Sequence, residues 1–173
     1  KPHPVQLAYR EAWTPEGRYV EAHEGLLQHV AQVRNPGMRQ FLQRFLEDAC
    51  PAELFETAPA AKEHHHAVVG GLLEHSMQVT DASVSLATEP GARHMADLDI
   101  TRVGSLIHDA GKILEYEWRN GPINMSATAP LYNHMISGPI MVWETWRRHQ
   151  AELEAAGCTE RHILHLMHIQ ASH

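Results

Sequence analysis

Apolar residues recur along this chain at three- and four-residue intervals, the spacing that gives a helix one buried face, and no segment shows a convincing strand-like alternation. From Asn35-Pro36 onward, Met38, Phe41, Leu42, Phe45, Leu46 and Ala49 fall on one side of a helix that Pro51 ends. Upstream, Thr14-Pro15-Glu16 has the form of a helix start, with Thr as N-cap, Pro at the first helical position and Glu in the first turn. That first helix should run to about Val33. A short segment around Leu54-Phe55 precedes Pro59. A third long helix is expected over roughly 66 to 88, with Leu72, His75, Ser76 and Val79 on one side and Glu89-Pro90-Gly91 closing it. Another runs from about Asp97 through Ile100, Val103, Leu106 and Ile107, with Gly111 just past its end. The stretch of roughly 117 to 130 carries Asn120-Gly121-Pro122 and Pro130 and reads as loop. Helices resume around 132 to 156 and again from Thr159, which can cap. The expected fold is all-α, a single helical bundle with an irregular loop insertion before His134.

At 173 residues the chain can build one domain with a real core. Its formal charge of −7 argues against gripping nucleic acid by charge alone, because such binding rests on Lys and Arg neutralising phosphates. Cys50 and Cys158 are isolated, so neither a disulfide framework nor a cysteine zinc site is expected, and the pair fits a reducing cytoplasm. Neither a membrane-spanning apolar run nor a signal-peptide pattern is present in the sequence. The chain opens on Lys1 rather than Met, and residues upstream of it are expected. The outlier is histidine, at 15 residues, the commonest metal ligand among side chains.

Two segments concentrate the chemistry: Leu72-Leu73-Glu74-His75-Ser76 and Leu106-Ile107-His108-Asp109-Ala110-Gly111-Lys112. Adjacent His and Asp supply a neutral nitrogen and an anionic oxygen, a mixed set suited to Mn²⁺, Fe²⁺ or Zn²⁺. Helical neighbours diverge by about 100°, so His108 and Asp109 can share an ion only near a helix end. Lys112 would place an ammonium beside a substrate phosphate. A lone His-Asp dipeptide is usually a surface pair, and a single His in an apolar helix is usually a hydrogen-bonded core residue. The two segments together, about thirty residues apart, are much harder to obtain by accident.

These segments resemble the HD superfamily of metal-dependent phosphohydrolases, and within it the YhaM-type 3′→5′ exoribonuclease group. The likeness extends over residues 35–173, taking in Asn35-Pro36, Pro59-Ala60-Ala61-Lys62, Gly70-Gly71-Leu72-Leu73-Glu74-His75-Ser76, the His108-to-Lys112 segment, Asn133-His134-Met135-Ile136 and Ala171-Ser172-His173. It implies an HD domain over 35–173 behind a helical extension at 1–34. It also implies metal ligands at His75, His108, Asp109, His134 and His173, holding one or two divalent ions, manganese first, with iron, zinc, nickel or magnesium as alternatives. Asn133 stands where the family usually has Gly. The family's second His and closing Asp would follow His173, so the C-terminus is expected to be truncated. The His64-His65-His66 run cannot all face one site on a helix, and His65 or His66 is expected to contact substrate phosphate. A second resemblance, to the relaxase-like TraI proteins, shares this run and the two chemical segments but fades after Lys112.

The resemblance thus implies a phosphohydrolase or phosphodiesterase acting on nucleic acid or nucleotides, with Asp109, Lys112, His65 and His66 as catalytic groups and a metal-activated water as nucleophile. The alternatives are a relaxase-like or nucleotidase-type HD hydrolase, and a degenerate HD domain that binds without turnover. No GxSxG segment or P-loop occurs. His162, His165 and His168 share a helical spacing but fit a mixed face better than a second ligand set. Trp118, Trp143 and Trp146 could stack on bases, although core packing is the commoner fate.

Overall fold

In a computed structural model of the chain, the described residues are 18–173 apart from 64, 93 and 94. The expected helix start at Thr14-Pro15-Glu16 lies outside them. Helix α1 covers Arg18–Gln32. Helix α2, Pro36–Arg44, begins where its capping chemistry says it must: Pro36 fits the first helical position, and Asn35 Oδ1 accepts the Met38 amide at 3.0 Å. The apolar face continues into a π-helical turn, Phe45–Ala49, closed by the Cys50 amide donating to the Phe45 carbonyl at 2.8 Å. That wider turn lets residues five apart, Phe45 and Cys50, both be buried. Pro51 then leads into α3, Ala52–Thr57.

Helix α4 spans Gly71–Thr88 and starts later than the periodicity predicts. The cause is backbone geometry. His66 and Gly70 both hold positive φ, +59° and +84°, which ends any helix reaching them. The chain folds back so closely that a Cβ on Gly71 would lie 2.0 Å from the His66 carbonyl oxygen. Helix α5, Leu98–Ile107, is capped by Asp97, which accepts from the Asp99 and Ile100 amides at 2.9 and 3.1 Å. After the turn at 108–111 comes α6, Lys112–Glu115, then a hairpin of β1, Tyr116–Glu117, and β2, Asn124–Met125. Tyr116 pairs with Met125 and Glu117 with Asn124, antiparallel. Two-residue strands are too short to leave an alternating pattern, so the sequence reads this hairpin as loop. Helices α7, His134–Ala155, and α8, Glu160–Ser172, complete the bundle.

Helices α4 and α5 pack side by side, α8 lies against α5 and α7, and α2 lies against α7. Phe41, Phe45, Phe55, Leu72, Leu106, Val142, Trp146 and Ile163 share one core, and α1 adds Ala22 and Leu26 to it. Trp118 is buried and Trp143 packs on the same core, so these rings serve as packing. No helix among the described residues is long and apolar enough to cross a membrane.

Gly111 lies just past the end of α5, as expected, with φ −58°, and the constraint on it is proximity. A Cβ there would meet Ser137 Oγ at 2.6 Å, the His134 carbonyl oxygen at 2.7 Å and His134 Cα at 2.8 Å. The bare glycine lets the first turn of α7 press onto the turn that follows α5.

Several histidines join elements rather than serve a site. His23 pairs with Glu56 at 3.0 Å and His149 with Asp48 at 2.7 Å. His29 Nε2 meets Asp81 at 3.0 Å, and its Nδ1 meets the guanidinium of Arg102. Burial, followed by the charge of Arg102, lowers the His29 pKa against the opposing pull of Asp81. The unfolded ring titrates near 6.5, so just below that pH the unfolded state binds more protons than the folded one. Stability should therefore decline as pH falls through about 6.5 and keep declining until the lowered folded value is passed. Replacing His29 by Gln should flatten the melting temperature between about pH 7 and pH 5 relative to the wild type; identical slopes would refute this. Gly111→Ala should cost about 1–3 kcal/mol through overpacking, read as a lower urea midpoint at unchanged slope, and an unchanged midpoint would show that α7 yields freely.

Candidate metal centre

The site forms where several helix ends meet. His75 lies in the first turns of α4, His108 and Asp109 form the turn after α5, His134 opens α7, and His173 follows α8. The end of α5 at Ile107 resolves the divergence of neighbouring side chains. Beyond it the turn brings His108 Nε2 to 3.3 Å and His75 Nε2 to 3.2 Å from Asp109 Oδ2, with the two ring nitrogens 3.3 Å apart. The other carboxylate oxygen, Oδ1, faces His173 Nε2 at 3.0 Å and His134 Nε2 at 3.6 Å. Ring contacts run from His66 to His75, His108, His173 and His134, with successive centroids 5.0 to 5.4 Å apart.

Two of these rings are aimed by groups the sequence did not single out. The Ser105 carbonyl accepts from His108 Nδ1 at 2.8 Å, which leaves Nε2 as the lone-pair nitrogen facing Asp109. Glu115 does the same for His134. Its Oε2 accepts from His134 Nδ1 and also from the His134 amide at 2.8 Å, so one buried carboxylate orients the ring and satisfies the first amide of α7. The available signal was an acidic residue set among Ile113, Leu114 and Tyr116, where an unpaired charge would be too costly to bury. A third support is Gln170, fully buried, whose Nε2 donates to the Ile107 carbonyl at 2.7 Å and ties α8 to the end of α5 three residues before His173.

Asp109 is 1% exposed, a depth at which a carboxyl would ordinarily neutralise itself. Burial does oppose its ionisation, but hydrogen bonds with His108, His173 and His75 outweigh it and hold the pKa far below the usual range. The bond to Asp109 in turn raises the His173 pKa against the effect of burial. Lys112 Nζ lies 2.6 Å from Asp109 Oδ2, so the ammonium expected beside a phosphate has the carboxylate as its immediate partner.

The donor set fits metal. Ligands at about 2.0–2.2 Å from one ion must lie within roughly 4.4 Å of each other, and the three separations among His75, His108 and Asp109 do so. His134, His173 and Asp109 form a second group, with ligand atoms within 4.8 Å of one another. Of the two expected phosphate contacts, His66 is half-buried and lies 3.6 Å from Glu74 and beside His75. Burial lowers its pKa, with Glu74 opposing. His65 is exposed, and the ring contacts pass through His66 instead; His64 lies outside the described residues. His162 accepts the Thr159 amide at 2.9 Å, and His165 and His168 are exposed, a mixed face without a ligand group. Asn133, in place of the family's Gly, has φ −74°, which any residue adopts.

A family model described as "HD domain" matches residues 72–165, and one described as "Putative helicase", TraI_2, matches residues 20–116. The chain is 29% identical over 155 residues to the 3′-5′ exoribonuclease YhaM of Bacillus subtilis (strain 168), an alignment covering 88% of this chain and 45% of that protein. The chain thus spans less than half the length of this relative. No solved structure matches it. The HD match takes in more than half of the chain and encloses His75, His108, Asp109 and His134, and the chain belongs to the HD domain family.

Proposed function

We propose that the chain hydrolyses phosphodiester bonds, with His75, His108 and Asp109 holding one divalent ion and Asp109, His134 and His173 holding a second. The observation that carries this reading is the division of the Asp109 carboxylate, Oδ2 toward His75 and His108, Oδ1 toward His134 and His173. A shared carboxylate gives each otherwise neutral histidine set an anionic donor. When bound, such ions acidify a water and offset negative charge on phosphoryl oxygens. The mixed nitrogen and oxygen donors suit manganese first, with iron, zinc, nickel or magnesium as alternatives.

The chain's own groups prepare that chemistry. Hydrogen bonds with His108, His173 and His75 favour the ionised form of Asp109 against the opposing effect of burial. The Ser105 carbonyl and Glu115 keep Nε2 of His108 and His134 turned inward, so no rotation is needed when a ligand arrives. Lys112 is the cation at the carboxylate, and His66 sits on the rim beside His75; together they are positioned to orient a phosphate.

We take the substrate to be nucleic acid shortened from its 3′ end, on the strength of the similarity to the B. subtilis exoribonuclease. Residues 35–173 would be the catalytic unit, with 1–34 as an extension whose described helix packs on the same core. A formal charge of −7 leaves few cations to release counterions, so short substrates should be cut slowly and only with metal. The relaxase-like reading draws on the TraI_2 match, which ends at residue 116, before His134 and His173.

The test is a labelled single-stranded RNA and DNA ladder run with Mn²⁺ and with chelator. Stepwise shortening from the 3′ end is expected. A single site-specific nick would favour the relaxase-like reading, and phosphate release from free nucleotides alone would exclude both. Asp109→Asn, which preserves volume, should lose bound metal and hydrolysis together and melt below the wild type, because four imidazoles and Lys112 lose their anion, while keeping the helical far-ultraviolet spectrum; retained activity with Mn²⁺ would rule out the proposed centre. Glu115→Gln should weaken metal affinity by about 10–100-fold, the usual effect of losing a ligand's orienting partner, measured by titration against a competing chelator. Wild-type affinity would mean that packing alone orients His134.

A further inference from the structure

We propose that a second anion site lies away from the metal centre, built from Arg34, Arg39 and Arg102, and that it takes a phosphate group. A cavity of about 370 Å³ opens there between the end of α1 and the start of α5. Three of the chain's 14 lysines and arginines line it, in a protein whose formal charge is −7. Its volume falls in the range of small-molecule sites, about 300–1,000 Å³.

The unusual member is Arg102. It is only 7% exposed, and an arginine that deep is normally held by a carboxylate. Here one nitrogen meets the His29 ring, and the buried Nε has no acceptor among the described residues. The charge is thus desolvated without a carboxylate in salt-bridge contact among the described residues, with Asp99 and Asp81 acting on it only at longer range. Arg39 spends Nε and Nη2 on the Val33 carbonyl, at 3.0 and 2.7 Å, which fixes its guanidinium plane and leaves Nη1 over. Arg34 is exposed at the mouth.

Two carboxylates bear on this charge. Asp99 borders the cavity, but its oxygens already accept the Arg34 and Asn35 amides at 2.9 and 2.7 Å. Asp81 is engaged by His29 at 3.0 Å. Three guanidiniums against the one carboxylate that lines the cavity leave it net positive. Guanidinium forks match the oxygens of a tetrahedral oxyanion, so a phosphate group is the ligand the site describes, free or carried by a nucleotide or a strand. Arg102 precedes His108 by six residues, about 9 Å of helical rise. A ligand here leaves the histidine cluster untouched, and the inference does not depend on the proposed hydrolysis.

The experiment is thermal unfolding of the full chain in chelator at matched ionic strength, titrated separately with inorganic phosphate, adenosine monophosphate and a short single-stranded oligonucleotide. Phosphate should raise the melting temperature of the wild type and of Lys112→Ala, the control for anions drawn to the histidine cluster. Arg34→Gln, at an exposed position, should weaken the apparent affinity at least several-fold, and Arg39→Lys, which keeps the charge but loses the fork, should weaken it as well. Tighter binding of the oligonucleotide than of free phosphate would mark a strand as the ligand's source, and equal binding would mark the phosphate group itself; both support the site. No stabilisation of the wild type, or stabilisation lost in Lys112→Ala, or stabilisation unchanged in both arginine variants, would overturn it.

Discussion

One buried carboxylate organises this molecule. Asp109 sits almost wholly out of water, and its negative charge persists only because four imidazoles and an ammonium converge on its two oxygens. Removing a charge from water is expensive unless it is paired and hydrogen-bonded. The elements that bring His75, His108, His134, His173 and Lys112 to that point are therefore bound to one another through it, although they come from separate parts of the chain.

The backbone provides for this convergence at a few positions. Gly111 admits the first turn of α7 to within contact of the turn after α5. Gln170 fastens α8 to the last carbonyl of α5, and Glu115 joins α6 to the start of α7 by bonding both the amide and the ring of His134. None of these residues belongs to the proposed ligand set, yet each fixes the separation between groups that do.

Among the described histidines, two groups stand out with different physics. One converges on Asp109 and keeps lone pairs directed inward. The other, His23, His29 and His149, bonds carboxylates across elements and contributes to packing. Arg102 is linked to the second population through His29, which explains why its buried charge is compatible with the fold and why it remains short of an anionic partner.

The sequence by itself determined the helical class, most element boundaries and the residues around which the site is built. Those features are local: a 3.6-residue period, Asn35 and Asp97 as caps, and the His108-Asp109 pair placed directly after an apolar run that must be buried. Family resemblance added His134 and His173, which no local pattern distinguishes from the other histidines. Tertiary structure alone decided how the groups are shared. Which oxygen of Asp109 faces which ring depends on packing between helices distant in sequence. That the His66 ring rather than His65 lies against His75, and that Glu115 bonds His134 nineteen residues away, are likewise outcomes of packing. The late start of α4 and the small hairpin escaped for another reason: isolated positive φ values at His66 and Gly70, and strands of two residues, leave no period in the sequence to read.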